Sequence, residues 1–214
     1  MTRIIDIISQ YAQNTIVSEY EHFANQMMKR MLLFIIMFIS LNSFGQQHIS
    51  VFGLPLNGSI NNFTTKLATK GIVVDKEQNR AMPVGVRAFK GSFAGYFSSR
   101  ILVFYDSRTK NIFKCVINFD GLDEQEYFRM FEDIKERILS KHKDIIYMHD
   151  GKNQDGYPMV DFSVSESKNR SNVIGDIKMG ILEMKVFPFE KAMYVSYTDR
   201  YNLNKFKGSS QDDL

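Results

Sequence analysis

Apolar positions recur at two different periods along this chain. Ile60, Phe63 and Leu67 share one side of a helix, Asn57-Gly58-Ser59 supplies a turn and an N-cap ahead of them, and Gly71 stops the helix behind Lys70. A longer stripe follows at Tyr127, Phe131, Ile134 and Ile138, with Glu132, Asp133, Lys135, Glu136 and Arg137 largely on the opposite side. Asp123 with Glu126 opens it as a capping box in which Asp replaces the usual Ser or Thr.

Elsewhere the period shortens to two. Ile72 to Lys76 predicts a short strand, Glu77 to Arg80 a turn, and Ala81 to Lys90 an extended stretch that Pro83 assigns to an edge. Gly91-Ser92-Phe93-Ala94-Gly95 is a glycine-relieved bend. In Arg100 to Asp106 both alternation classes are apolar, Ile101, Val103 and Tyr105 against Leu102 and Phe104, which predicts a central strand covered on both faces. Ser107 to Lys110 then closes a hairpin into Ile112 to Phe119. After the second helix come Ile145 to His149, Met159 to Ser165 with Val160, Phe162 and Val164 inward, Asn172 to Phe187 and Ala192 to Thr198. In the longest of these the apolar set passes from Ile177, Met179 and Ile181 to Leu182, Met184 and Val186, which predicts a bulge near Gly180. Asp199 is placed to cap a short helix to Phe206, and residues 207–214 form a flexible tail.

The fold class that follows is α+β: a curved, mainly antiparallel sheet with two amphipathic helices packed on one face. Helix plus strands occurs twice, at Ser59 to Phe119 and at Asp123 to Thr198, which leaves two helix-plus-strands units as an option. The two halves share little residue-level similarity.

One apolar stretch shows neither period. After Met28, Lys29 and Arg30 the run Met31 to Ile39 leads to Ser43 and Gly45, the small residues that a signal peptidase inspects, ahead of Gln46. The run is much shorter than the ~20 residues a membrane-spanning helix requires, so residues 28–45 are expected to be a cleaved signal peptide. Residues 1–27 stand upstream of a signal that is complete without them and are expected to be a misplaced start. The alternative is a cytoplasmic tail on an uncleaved anchor at 31–44. Lys29 and Arg30 direct the rest of the chain outward in both cases. Residues 46–206 then form a single exported domain, periplasmic or extracellular.

Composition narrows the choice of function. The formal charge of +3 is small and well mixed, and no dense basic block suits a phosphate backbone, so nucleic acid is excluded as a partner. Lys141, His142 and Lys143 fall at a helix end, where cations complement the helix dipole. Cys115 is the single cysteine, so no intramolecular disulfide staples the chain. It shares a parity with Phe113, Ile117 and Phe119, which makes it a small core hydrophobe rather than a nucleophile.

Chemical motifs mostly fail on their own terms. The Gly91 to Gly95 segment has Phe93 where a nucleophile elbow needs serine, and it lacks the Gly-Lys-Ser/Thr of a phosphate loop. Asn153 and Asp155 suggest a calcium loop, but its first and twelfth positions fall on Gly151 and Phe162, so the site is rejected and no metal or cofactor is expected. Turn chemistry explains the Asp, Asn and Gly of 150–156 without an ion. His149 with Asp161 is the one constellation retained as a catalytic acid/base candidate.

Leu54-Pro55-Leu56-Asn57-Gly58-Ser59-Ile60, Lys70-Gly71-Ile72 and Phe89-Lys90-Gly91-Ser92-Phe93-Ala94-Gly95-Tyr96 together resemble small exported proteins of unknown function from Gram-negative gut bacteria. The resemblance covers the front half of the exported part. It implies export and an α+β fold, and it supplies no activity or site residues. The expected function is a non-enzymatic extracytoplasmic binding or interaction domain for a protein or small-molecule ligand. The alternatives are a small hydrolase with an acid/base site near His149 and a signal-anchored, membrane-tethered structural protein, the membrane being a partner only if the signal is uncleaved.

Overall fold

Both helical stripes form helices where their caps stand. Helix α1 (Ile60–Ala68) starts at Ser59, whose hydroxyl accepts from the Asn62 N–H at 3.3 Å, and buries Ile60, Phe63 and Leu67. A short helix, α2 (Lys76–Asn79), occupies the expected turn, because the Asp75 carboxylate accepts from the N–H groups of Glu77 and Gln78. Helix α3 (Glu124–Lys141) opens with a complete capping box. The Asp123 carboxylate accepts from the Glu126 N–H at 2.8 Å, and the Glu126 carboxylate accepts from the Asp123 N–H at 3.3 Å.

The computed structural model describes residues 27–28, 46–166, 169–184 and 190–211, so the signal peptide expected at 28–45 and the upstream stretch 1–27 lie almost wholly outside the described residues. The chain divides into two units between Gln46 and Gln47, and the second, residues 47–214, is compact. In the second, β1 (Ser50–Val51) and β2 (Leu54–Pro55) pair as a small hairpin. The remaining strands are β3 (Val73–Val74), β4 (Val86–Phe93), β5 (Tyr96–Tyr105), β6 (Ile112–Asp120), β7 (Ile145–Lys152), β8 (Pro158–Glu166), β9 (Asn169–Met184) and β10 (Glu190–Asp199). They form one eight-stranded sheet in the order β3-β4-β5-β6-β10-β9-β8-β7, antiparallel at every pairing. The chain therefore lays down a helix and a four-strand meander twice, and the last strands of the two meanders, β6 and β10, meet at the centre.

Strand parity decides which face is buried. Phe89, Ile101, Ile117, Val195, Met179 and Val160 are successive cross-strand partners from β4 to β8, and all are buried. A second row, Val103, Cys115, Tyr197, Ile177 and Phe162, runs beside it. Phe63 and Leu67 of α1 and Tyr127, Phe131, Ile134 and Ile138 of α3 complete one continuous core with these rows. Full burial of each such side chain contributes roughly 1.5–3 kcal/mol, so both helices are held on this face by apolar area. Helix α4 (Arg200–Gln211) starts at Asp199 as expected but runs on to Gln211, and Phe206 stacks on Phe113 of β6 with ring centroids 4.7 Å apart.

Three sequence expectations are corrected. The stretch that Pro83 assigned to an edge becomes β4, which is not an edge strand because β3 pairs on its outer side. Strand β5 is fully buried on one face only, since Ile101 and Val103 are buried while Leu102 and Phe104 on the other face are only partly so. Nor is there a bulge at Gly180, where pairing with Tyr194 continues in register. A Cβ at Gly180 would lie 3.1 Å from a ring carbon of Tyr194 and 3.2 Å from Met159 Cβ, so glycine is there to admit the tyrosine ring. Leu182 then falls on the uncovered face, 42% exposed, rather than joining the core.

Candidate functional site

The uncovered face carries the polar chemistry. Ala88, Leu102, Val116, Ser196, Lys178, Asp161 and His149 are successive partners across seven strands, apolar at one end and charged at the other. On one side of that row run Phe104, Lys114, Thr198, Asp176, Ser163 and Tyr147, and on the other Arg100, Asn118, Tyr194, Gly180 and Met159.

His149 and Asp161 do stand opposite each other on β7 and β8, as a shared site requires. Asp161, however, is engaged on its other side: Lys178 Nζ donates to its Oδ2 at 3.1 Å. Among the described residues no hydrogen bond joins Asp161 to His149, and Asp161 Oδ1 is buried without a partner. His149 lies on an exposed strand, so nothing excludes water from it in the way acid/base chemistry favours. Asp176 is held more firmly. Arg200 donates to both of its oxygens at 2.7 Å, and Ser163 Oγ donates to Oδ1 at 3.1 Å.

The same face contains groups that are only partly hydrated. Burial, then the nearby Asp161 charge, raises the Tyr194 phenol above its ordinary value. Burial and the Lys178 charge hold the Lys114 ammonium below its own, and its Nζ sits 5.6 Å from the centre of the Phe104 ring.

Other candidates have structural roles. Asn153 makes a side-chain turn, its Oδ1 accepting from the N–H of Asp155 at 3.0 Å and of Tyr157 at 2.9 Å, while its Nδ2 donates to the Ile181 carbonyl at 2.8 Å. Asp155 itself is exposed in the loop. Cys115 is fully buried, and burial alone drives its thiol far above the ordinary range, so it is an inert core group.

Sequence reading missed one buried ionisable pair. His48 Nδ1 lies 2.9 Å from Oδ2 of Asp199, which is itself fully buried, and the Ile49 N–H also donates to that oxygen at 3.3 Å. The other oxygen of Asp199 accepts from the Asn202 N–H at the start of α4. Burial nonetheless raises the Asp199 carboxyl above its ordinary value. The pair fastens the segment before β1 to the end of β10, across more than half the chain, a separation that no local pattern reveals. No family model, curated protein or solved structure matches the chain.

Proposed function

We propose that this chain is an exported, non-enzymatic binding domain that holds a folded protein partner on the uncovered face of its sheet. The observation that carries the reading is the seven-strand row from Ala88 to His149, flanked by Tyr194 and Tyr147, in which Ala88 and Ser196 are buried but Lys178 and His149 are exposed. At ~4.8 Å between strands, eight strands span roughly 34 Å, broad enough for the ~800 Å² that each side of a standard protein interface buries. Tyrosine is favoured at such surfaces because it combines apolar area with a polar tip. The cross-strand ion pairs Arg100–Asp120 and Lys178–Asp161 leave the face polar but nearly self-neutralised. A partner of mixed polarity suits it better than a strongly charged polymer.

Capture from envelope extracts of the native cells tests this reading. A protein should be retained by the wild type and by a Lys66→Glu control on α1, and lost from Tyr194→Ala combined with Lys178→Glu. Equal retention by all three removes the open face as the binding surface. A hydrolytic reading rests on the register of His149 with Asp161, and an activity abolished by His149→Ala would favour it. Export belongs to the same proposal. The intact mass of the exported protein should correspond to a chain beginning at Gln46, whereas a species beginning at Met1 would contradict cleavage.

A further inference from the structure

Two tight turns on the helix side are built from residues that turn geometry disfavours. β1–β2 and β4–β5 are both hairpins with two-residue loops, Phe52-Gly53 and Ala94-Gly95, and all four residues have positive φ. Loops of this kind select Asn, Asp or Gly at the first position, yet here it holds Phe52 at φ 57° and Ala94 at φ 51°. A bulky residue in the left-handed region is a real outlier, and persistent strain of this sort clusters at ligand sites.

Both strained residues line the same cleft, of about 230 Å³, whose walls also include Phe93, Ile134, Ile138 and Tyr197. Phe52 meets Phe93 edge to face with centroids 5.5 Å apart, and Phe93 meets Tyr197 at 6.2 Å, so three of the eight lining residues form an aromatic cluster. Arg137 and Lys141, one turn apart on α3, complete the lining as exposed cations. Arg137 is fixed in place: its Nε donates to Asp133 at 2.7 Å, and Asp133 also accepts from the Tyr96 hydroxyl at 2.8 Å. Among the described residues Lys141 makes no ion pair, and no carboxylate belongs to the lining.

We infer that this cleft binds a single-chain carboxylate, with its apolar body between Phe52, Phe93 and Tyr197 and its carboxylate at Arg137 and Lys141. A cleft of about 230 Å³ has room for a short unbranched body of this kind. The site lies on the opposite side of the sheet from the proposed protein-binding face, so the two stand or fall separately.

Titration calorimetry on the full chain with octanoate, 1-octanol and acetate tests the assignment. Octanoate should bind at 1:1, 1-octanol at least tenfold more weakly, and acetate not measurably. Phe52→Asn places a residue suited to positive φ in the turn and removes the ring. It should weaken octanoate at least tenfold. Arg137→Gln with Lys141→Ala, both on the surface, should reduce octanoate to the level of octanol. Equal binding of octanoate and octanol, undiminished binding by either variant, or association with phosphatidylglycerol vesicles in place of octanoate would each overturn it.

Discussion

On the helix-covered face a row of six partners, Phe89 to Val160, crosses the sheet without a polar side chain. The neighbouring row on the uncovered face begins at Ala88, Leu102 and Val116 and ends at Lys178, Asp161 and His149. The same strands supply both rows, one residue apart. One parity has therefore been shaped by packing, where any uncompensated polar group is costly, and the other by contact with water and whatever replaces it. Stability should be concentrated in the first face, and recognition in the second.

The largest test of that division is Phe162→Ala, which empties a fully buried site on the covered face and should cost about 3–5 kcal/mol, read from denaturant midpoints. Next comes Asp199, a carboxylate buried beside that face. His48→Ala leaves Asp199 without its imidazole and should cost about 3 kcal/mol, while the double variant His48→Ala with Asp199→Asn should recover part of the loss.

A smaller effect belongs to His142, the residue that caps the end of α3. Its Nε2 is buried without a partner among the described residues, and its ring lies 6.0 Å from that of Tyr197. Burial, then the Lys141 charge, depresses its pKa below the ordinary 6.5. The unfolded chain accordingly takes up this proton more readily than the folded one, so His142 contributes stability that is complete above about pH 6.5 and is lost as pH falls below it. Tm should drop from pH 7 to pH 5, and His142→Gln should flatten that drop. Asp199 acts in the opposite sense, because its raised pKa favours the folded state at low pH and that contribution fades as pH rises above the ordinary carboxyl value. The difference between His142→Gln and wild type isolates the histidine from it. The smallest effect is expected on the uncovered face, where Lys178→Ala removes a half-exposed ion pair and should change stability by less than about 1 kcal/mol.

Much of this division was legible in the sequence. The stripes at Ile60, Phe63, Leu67 and at Tyr127 to Ile138 became α1 and α3 with their caps in place, and the alternation around Cys115 assigned it to the core. The doubled helix-and-strands pattern became the two meanders. Period-two reasoning went wrong where a strand carried apolar residues in both parities. Leu102 and Phe104 looked like a second buried set, and Leu182 looked like a change of phase, because sequence alone does not distinguish an apolar residue covered by a helix from one left on an open sheet. Asp161 and His149 were found as a pair, but the competing claim of Lys178 depends on strand order. The His48–Asp199 contact and the meeting of Phe52 with Phe93 are products of topology, and of the two turns only the one at Gly95, within the Gly91 to Gly95 bend, was marked in advance.

Lysine modification of the chain, alone and with the protein partner proposed for the open face, addresses the central claim most directly. Lys114 and Lys178 lie on the uncovered face, and Lys66 and Lys70 are exposed residues in and just after α1. Partner binding should protect Lys114 and Lys178 severalfold and leave Lys66 and Lys70 as reactive as in the free protein. Protection of Lys66 and Lys70, with Lys114 and Lys178 unchanged, would move recognition to the helix side and contradict the assignment of function to the open face.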